Sequence, residues 1–171
     1  MNRFIVEELA ILAWGASVQR ARIYRQGLGQ GTEDARSFRR EILEFISSTL
    51  LPQYKQPVAE SGHYKNIDQL IEYASRRGQK VLGDSGYKYG AAQKLLNLTL
   101  KYHWCLGAVH EPPHCPVDRI VIEKTSFRGS LNWTQIVERA GYQKVIEAVE
   151  VLARKDRLSI ARWELANYSR R

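Results

Sequence analysis

The chain has few cysteines and no long apolar segment. Its 171 residues include two cysteines, Cys105 and Cys115, and no stretch approaches the roughly 18 apolar residues that a membrane span needs. Two cysteines cannot form a disulfide framework, so we expect a reducing compartment, the cytoplasm. Glu7 and Glu8 interrupt the apolar residues near the N-terminus, which is not typical of a secretory signal. We therefore expect a cytoplasmic protein with no membrane association.

Motifs of several enzyme classes are also missing. The sequence contains no CxxC pair, no GxSxG nucleophile motif and no GxxxxGK[ST] phosphate loop. The glycine-rich segment 27–31 precedes a helical segment, but it lacks the lysine of a phosphate loop. Glu33 and Asp34 follow it and would repel a phosphate. We interpret this segment as a flexible connection between two helices.

Most segments between the glycine and proline clusters have helical periodicity. Apolar residues recur three or four positions apart, as Phe38, Ile42 and Phe45 do, and no short hairpin signal separates alternating strands. A length of 171 residues fits one domain. We predict an all-α fold, a single globular domain over residues 1–171 with six or seven helices around a central apolar helix.

Caps and helix breakers set the expected bounds of the outer helices. Thr32 and Asn66 are residue types that cap helix N-termini, and Asn66 with Gln69 matches a capping box. Proline and glycine are expected to end the helices that these residues begin. The outer helices are expected over about Phe4–Gln26, from Thr32 to Pro52, from Asn66 to Gly78, from Asn132 through Leu152, and over Leu158–Tyr168.

The central helix is predicted over residues 89–106. Apolar residues surround almost the whole helix axis in this segment, which is typical of a helix in the middle of its domain. The segment that follows the next proline cluster has mixed signals. Pro116 suits the first turn of a helix, whereas Ile120 and Ile122 suit a strand, so we expect at most a short strand near 119–123.

A stripe of polar side chains runs along the predicted central helix. Gln93, Lys94, Asn97 and Lys101 fall at spacings that place them on one side of the helix. Two ammonium groups and two amides in a cleft would bind an anion such as a phosphate or a carboxylate. The alternative interpretation is that this stripe is simply the face where the helix meets water.

Basic residues are the second signal for an acidic partner. The chain carries 26 Lys and Arg against 18 Asp and Glu, a net charge of +8, and the excess is spread along the sequence without a basic tail. Such a charge suits the phosphate backbone of nucleic acid. We predict a polyanion-binding protein, with nucleic acid as the expected ligand. The predicted anion-binding residues are Gln93, Lys94, Asn97, Lys101, Arg76, Arg77, Lys80 and Lys88.

A weaker nucleic-acid signal lies at the end of the sequence. Two predicted helices flank the short polar turn 154–157, as in a helix-turn-helix. The second helix would present Ser159, Arg162, Glu164 and Asn167 outward. The alternative is a terminal helix that packs on the core.

Two other functions remain open. Cys105, His110, His114 and Cys115 are zinc-ligand types within a short segment, although their spacing is poor for tetrahedral zinc. A metal-dependent or small-molecule enzyme that uses segment 103–115, with Cys115 as a candidate nucleophile, is therefore the first alternative. The second alternative is a protein–protein interaction module, and a homo-oligomer, for which the apolar stripe from Tyr142 to Leu152 would have to be exposed.

Overall fold

The computed structural model describes residues 2–168, which form seven α-helices and three short turns of other helix types. The α-helices are α1 (Arg3–Val18), α2 (Glu33–Phe45), α3 (Glu60–Arg77), α4 (Tyr89–Cys105), α5 (Arg119–Ile122), α6 (Arg139–Lys155) and α7 (Ile160–Asn167). A π turn (Ile46–Leu50) and a 3-10 turn (Leu51–Lys55) extend α2, and a 3-10 turn (Trp133–Gln135) precedes α6. Within residues 2–168 the only β pairing is one isolated bridge, Tyr24 with Leu82. The predicted all-α fold is confirmed.

Helix α4 lies at the centre of the molecule, as predicted. Twelve of its 17 residues are buried, and it packs against α1, α3, α6 and the 3-10 turn before α6. Gly90 permits the closest of these approaches, because a Cβ atom there would overlap the carbonyl oxygen of Trp133. The buried apolar side chains of the described residues belong to one core cluster around this helix. Our prediction of one domain also includes Met1 and residues 169–171, which lie outside the described part.

Several helix bounds differ from those expected. Helix α1 ends at Val18 rather than near Gln26, and the chain then passes through Arg22 with a φ of +48°. Helix α3 begins at Glu60, six residues before Asn66. Asn66 does not cap this helix: it is buried inside it, and its side chain donates a hydrogen bond to the Tyr54 hydroxyl.

Other bounds are resolved by local hydrogen bonding. Pro52 does not end the second helical run, because it lies in the first turn of the 3-10 segment, where its missing N–H costs nothing. The ambiguous segment near 119–123 is helix rather than strand, since the Asp118 side chain caps α5 by accepting from Val121 N. Asn132 and Gln135 form a capping box on the 3-10 turn, and α6 begins later, at Arg139.

None of the helices in the described part of the chain is both long and apolar enough to cross a bilayer.

Candidate functional site

The two amides of the α4 stripe lie inside the protein. Gln93 is fully buried, and its side chain pairs with the backbone of Val117: Nε2 donates to the carbonyl oxygen at 2.7 Å, and Oε1 accepts from the N–H at 3.1 Å. Asn97 is also fully buried and donates through Nδ2 to the Tyr142 hydroxyl at 3.0 Å. These amides fix neighbouring segments onto α4 and do not line an open cleft.

Lys94 is also buried along the stripe. Its Nζ lies 4.1 Å from the centroid of the Trp133 ring, a cation–π contact. Burial lowers the pKa of Lys94, the negative charge of Asp118 raises it, and the positive charge of Arg20 lowers it. The effect of Arg20 on the pKa of Lys94 places Arg20, two residues after α1, near the N-terminal half of α4.

Lys101 forms a buried ion pair with α7. Its Nζ lies 2.7 Å from Oε2 of Glu164, and the two side chains are only 12% and 3% exposed. The ring of Tyr168 lies 4.3 Å from the same ammonium. Burial raises the pKa of Glu164, and the hydrogen bond and charge of Lys101 lower it. Lys101 therefore neutralises a buried carboxylate. Anion binding by the α4 stripe stays a prediction, but all four of its polar side chains are buried or internally paired.

Two loops meet at the end of the molecule where α4 begins. The backbone N–H of Arg25 donates to the carbonyl oxygen of Val81 at 2.9 Å, and the N–H of Gly83 donates to that of Ile23 at 2.9 Å. The Arg25 side chain adds a hydrogen bond to the carbonyl oxygen of Gln79. This pairing joins the connection between α1 and α2 to the connection between α3 and α4.

These two connections concentrate the positive charge of the chain. The first connection, residues 19–32, contains three arginines and no acid, and the second, residues 78–88, contains two lysines and one aspartate, so together they carry a net charge of +4. Arg76 and Arg77 lie next to the second connection, in the last turn of α3. Charge that is spread out in the sequence is thus collected in space. We call this surface the basic end; its basic residues are Arg20, Arg22, Arg25, Arg76, Arg77, Lys80 and Lys88.

Only part of this charge is neutralised internally. Arg76 pairs with Glu72 at 2.7 Å, and Arg77 pairs with Glu41. The other five basic residues have no carboxylate within 4 Å among residues 2–168. The acids near the surface are Glu41 and Glu72, which pair with Arg77 and Arg76, Asp84 in the second loop, and Glu33 and Asp34 at the start of α2. The structure therefore brings Arg76, Arg77, Lys80 and Lys88 of the predicted set to one end, adds three arginines, and separates Lys101 from them.

One of the added arginines has an unusual backbone. Arg22 is exposed and has a φ of +48°, the left-handed region that favours glycine. The only other non-glycine residue with positive φ in the described part is Arg157, at 56°. Arg157 occupies the position after α6 where glycine is usual, and the next N–H, that of Leu158, bonds to the carbonyl oxygen of Ala153. An arginine at either position costs about 1–2 kcal/mol of backbone strain.

The four candidate zinc ligands do not converge. Cys105 and His110 are exposed, whereas His114 and Cys115 are buried. His114 is engaged by the Tyr142 hydroxyl at 3.0 Å and by Glu60 Oε1 at 3.1 Å. No group of three or more His, Cys, Asp or Glu within residues 2–168 could hold a metal ion. Cys115 is not poised as a nucleophile either, because burial raises the pKa of its thiol well above the usual range.

Of the α7 residues expected to face outward, Ser159 and Arg162 are exposed but bonded within the protein, and the expectation was wrong for Glu164, which is buried with Lys101. Ser159 caps α7 and donates through its hydroxyl to Glu111. Arg162 donates to the other oxygen of Glu111 at 2.7 Å, and Asn167 donates to the carbonyl oxygen of Trp163 at 2.9 Å. Helix α7 is therefore a terminal helix held against the loop that follows α4.

The stripe that an interaction module would expose is packed. Tyr142, Val145 and Val149 of α6 are fully buried. The large apolar residues left exposed among residues 2–168 lie off this stripe: four are on α1 and the others are at scattered positions, namely Phe4, Ile5, Ile11, Leu12, Leu106, Val137, Val151 and Leu165. Self-association of this chain stays a prediction.

Sequence reasoning missed a buried polar cluster beside α4. His63 and Asn66 of α3, with Tyr54, lie next to Asn97, Tyr142 and His114. The rings of His63 and His114 are 4.7 Å apart. These residues are scattered over almost ninety positions, so no spacing pattern in the sequence could identify them.

Comparison of the chain with family models, with curated proteins and with solved structures found no match.

Proposed function

We propose that the protein binds a polyanion, nucleic acid in particular, through the basic end. The observation that carries this proposal is the backbone pairing between the two basic connections, which gathers their net charge of +4 onto one surface. Five basic side chains there have no carboxylate partner within the described residues. Regularly spaced phosphates would supply the missing negative charge.

The proposed contacts are to phosphates rather than to bases. Base stacking needs exposed aromatic rings, but Tyr87 and Tyr89 beside the surface are buried and Tyr24 is half-buried. The N-terminus of α4 is not free to enter a groove, because its first amides donate to the carbonyl oxygens of Ile136 and Val137. We therefore expect binding with little sequence preference and a strong dependence on salt.

Two further observations are compatible with this proposal. Cys105 and Cys115 are unpaired, which fits the reducing cytoplasm in which we propose that the protein acts. Arg22 keeps a long cationic side chain at a position where glycine would relieve strain.

The first experiment measures affinity against salt. The full chain is titrated into a fluorescently labelled 20-base-pair DNA duplex at KCl concentrations between about 50 and 300 mM. Single-stranded DNA and RNA of the same length are measured in parallel. If about three to five phosphates are neutralised, log K for the duplex falls with log[salt] with a slope of about −3 to −5. Absence of binding at 50 mM salt, or a flat salt dependence, would contradict the proposal.

A matched pair of variants tests the location. Arg22→Gly and Arg157→Gly make the same chemical change at the same kind of backbone position. The basic end lies where α4 begins, whereas Arg157 lies near the C-terminal end of α4, since Ser159, two residues later, contacts Glu111 beyond that end. The 17 residues of α4 span about 25 Å, so the two arginines are far apart. Arg22→Gly is expected to weaken binding and to reduce the magnitude of the salt slope by about 1. Arg157→Gly is expected to change neither.

The stability of the same two variants provides the control. Glycine adopts the left-handed conformation without strain, so both variants are expected to be as stable as the wild-type protein or slightly more stable. A loss of binding in Arg22→Gly with unchanged unfolding therefore reports on the charge. If the two variants weaken binding equally, the basic end is not the site.

A further inference from the structure

A series of polar side chains, here called the hydrogen-bond chain, runs through the interior from α3 to the surface carboxylate of Glu60. Hydrogen bonds join all its neighbours except His63 and Asn97, whose Nε2 and Oδ1 atoms have no partner among the described residues. Its members come from the 3-10 turn after α2, from α3, α4 and α6, and from the proline-rich segment between α4 and α5. In order they are Asn66, Tyr54, His63, Asn97, Tyr142, His114 and Glu60. All except Glu60 are buried.

The amide of Asn66 sets the direction at the inner end of the chain. Its Nδ2 can only donate, and it donates to the Tyr54 hydroxyl oxygen at 3.1 Å. The Tyr54 hydroxyl then donates its own proton to Nδ1 of His63, 2.7 Å away. Because Nδ1 of neutral His63 is the acceptor, its proton must be on Nε2.

The middle of the chain contains a matching donor and acceptor. His63 Nε2 is a buried donor and Asn97 Oδ1 a buried acceptor, and neither has a hydrogen-bond partner within the described residues. The Asn97 side chain acts directly on His63, since its hydrogen bonding partly offsets the effect of burial on the pKa of His63. Asn97 Nδ2 donates onward to the Tyr142 hydroxyl, so the direction is maintained through α4.

The carboxylate of Glu60 sets the direction at the outer end. A carboxylate only accepts, so His114 Nε2 carries the proton and donates it to Glu60 Oε1 at 3.1 Å. His114 Nδ1 is then an acceptor, and the Tyr142 hydroxyl donates to it at 3.0 Å. Both ends thus require the same orientation, with both histidines neutral and protonated on Nε2.

His114 links this chain to the proline-rich segment 110–117. That segment is also held by the backbone N–H of His110, which donates to the carbonyl oxygen of Tyr54 at 2.8 Å, and by the pairing of Val117 with Gln93. Two members of the hydrogen-bond chain take part in this anchoring. Tyr54 accepts from the His110 N–H through its backbone carbonyl, and Asn97 donates to Gln93, which holds Val117.

We propose that this hydrogen-bond chain is an acid-sensitive latch that holds segment 110–117 against α3, α4 and α6 and releases it when His114 or His63 is protonated. A proton added to His114 Nδ1 would face the Tyr142 hydroxyl, which already accepts from Asn97 and would lose its own acceptor. A proton added to His63 Nδ1 would face the Tyr54 hydroxyl in the same way. Protonation therefore breaks the chain at a tyrosine.

The charged and titratable groups around the two histidines do not remove this conflict. From α3, Glu60 contacts His114 but is exposed at 60%, and Tyr64 lies against the His114 ring. From α6, Arg139 covers Tyr64 and pairs with Asp68, and Glu147 acts on Tyr64. Tyr89 and Cys115 lie near Tyr142. Burial lowers the pKa of His114 to about 3, and burial together with the charge of His114 lowers the pKa of His63.

The orientation of the chain is tested by nitrogen NMR of the two imidazole rings in the full-length protein at pH 7.5. We expect both His63 and His114 to be neutral with the proton on Nε2. A proton on Nδ1 of either ring at this pH would overturn the proposal, because one link would then have no acceptor. This measurement needs no variant.

The release is tested by amide hydrogen exchange at pH 7.5 and 5.0, expressed as protection factors. If opening of the segment restores an ordinary imidazole pKa to one histidine, protection of the His110 and Val117 amides falls by about 30-fold over this interval. The protection factors of the α6 amides are expected to fall by less over the same pH interval. In His114→Asn, which keeps an acceptor at the position of Nδ1 and cannot titrate, the extra loss is expected to be reduced. Unchanged protection, or an equal loss throughout α6, would overturn the latch.

Discussion

Substitutions at the buried ion pair of Lys101 and Glu164 distinguish two candidate binding sites, the α4 stripe and the basic end. We consider the substitution Lys101→Met, which keeps the length of the apolar stem and removes the ammonium. Glu164 is 3% exposed and Lys101 12%, so the substitution leaves a carboxylate buried beside Cys115 without its partner. Breaking a buried pair in this way costs about 3–5 kcal/mol.

The double variant Lys101→Met/Glu164→Leu removes both charges. Replacement of a buried ion pair by apolar side chains of similar volume is often neutral or stabilising, so we expect most of the lost stability to return. The assay is the free energy of unfolding from urea denaturation at pH 7.5, with the oligonucleotide affinity of each folded variant measured in the same buffer. The double variant is expected to bind oligonucleotide as the wild-type protein does.

Two results would refute this reasoning. If Lys101→Met unfolds at the wild-type urea concentration, Lys101 is not the partner of a buried charge. If the double variant is as stable as the wild-type protein but loses binding, Lys101 contacts the ligand, and the α4 stripe rather than the basic end is the site.

Two further predictions concern stability. Gly90→Ala is expected to destabilise the protein by several kcal/mol, because the new Cβ would overlap the Trp133 carbonyl oxygen. Gly15→Ala in α1, where a Cβ meets nothing within 4 Å, is expected to stabilise it by up to about 1 kcal/mol. Thermal unfolding of the two variants tests both expectations. The pKa values of His63 and His114 are lowered in the folded protein. As the pH falls below the ordinary histidine pKa of about 6.5, both histidines become protonated in the unfolded chain but stay neutral in the folded one, so stability falls. At pH 5.5 the loss is about 1.4 kcal/mol for each histidine; urea midpoints that are equal at pH 7.5 and 5.5 would contradict this.

The central helix could be predicted because its signal is local. Apolar residues on almost all sides of a segment require burial whatever the rest of the fold does, and α4 is buried as expected. The start of α3 could not be predicted in the same way, since its cap position is Ala59, which provides no side-chain hydrogen bond. Asn66 has the sequence of a cap, but the hydroxyl of Tyr54 offers its amide a tertiary partner instead.

The candidate site was only partly predictable for a related reason. Lys80 and Lys88 were expected to bind an anion, but Arg22 and Arg25 join them only through the backbone pairing of Ile23 and Gly83 and of Arg25 and Val81. That pairing connects residues more than fifty positions apart and involves backbone atoms, which every residue has. Helical spacing placed Gln93 and Asn97 correctly on one side of α4, but their partners come from distant segments.

The location of a bound oligonucleotide on the protein surface tests the central claim most directly. Amide chemical shifts of the nitrogen-labelled full chain are followed while a short DNA duplex is added at low salt. We expect the perturbed amides to cluster in residues 20–25 and 78–88, with those of residues 154–162 unchanged. Perturbations confined to the turn between α6 and α7, or spread evenly over the surface, would contradict the account.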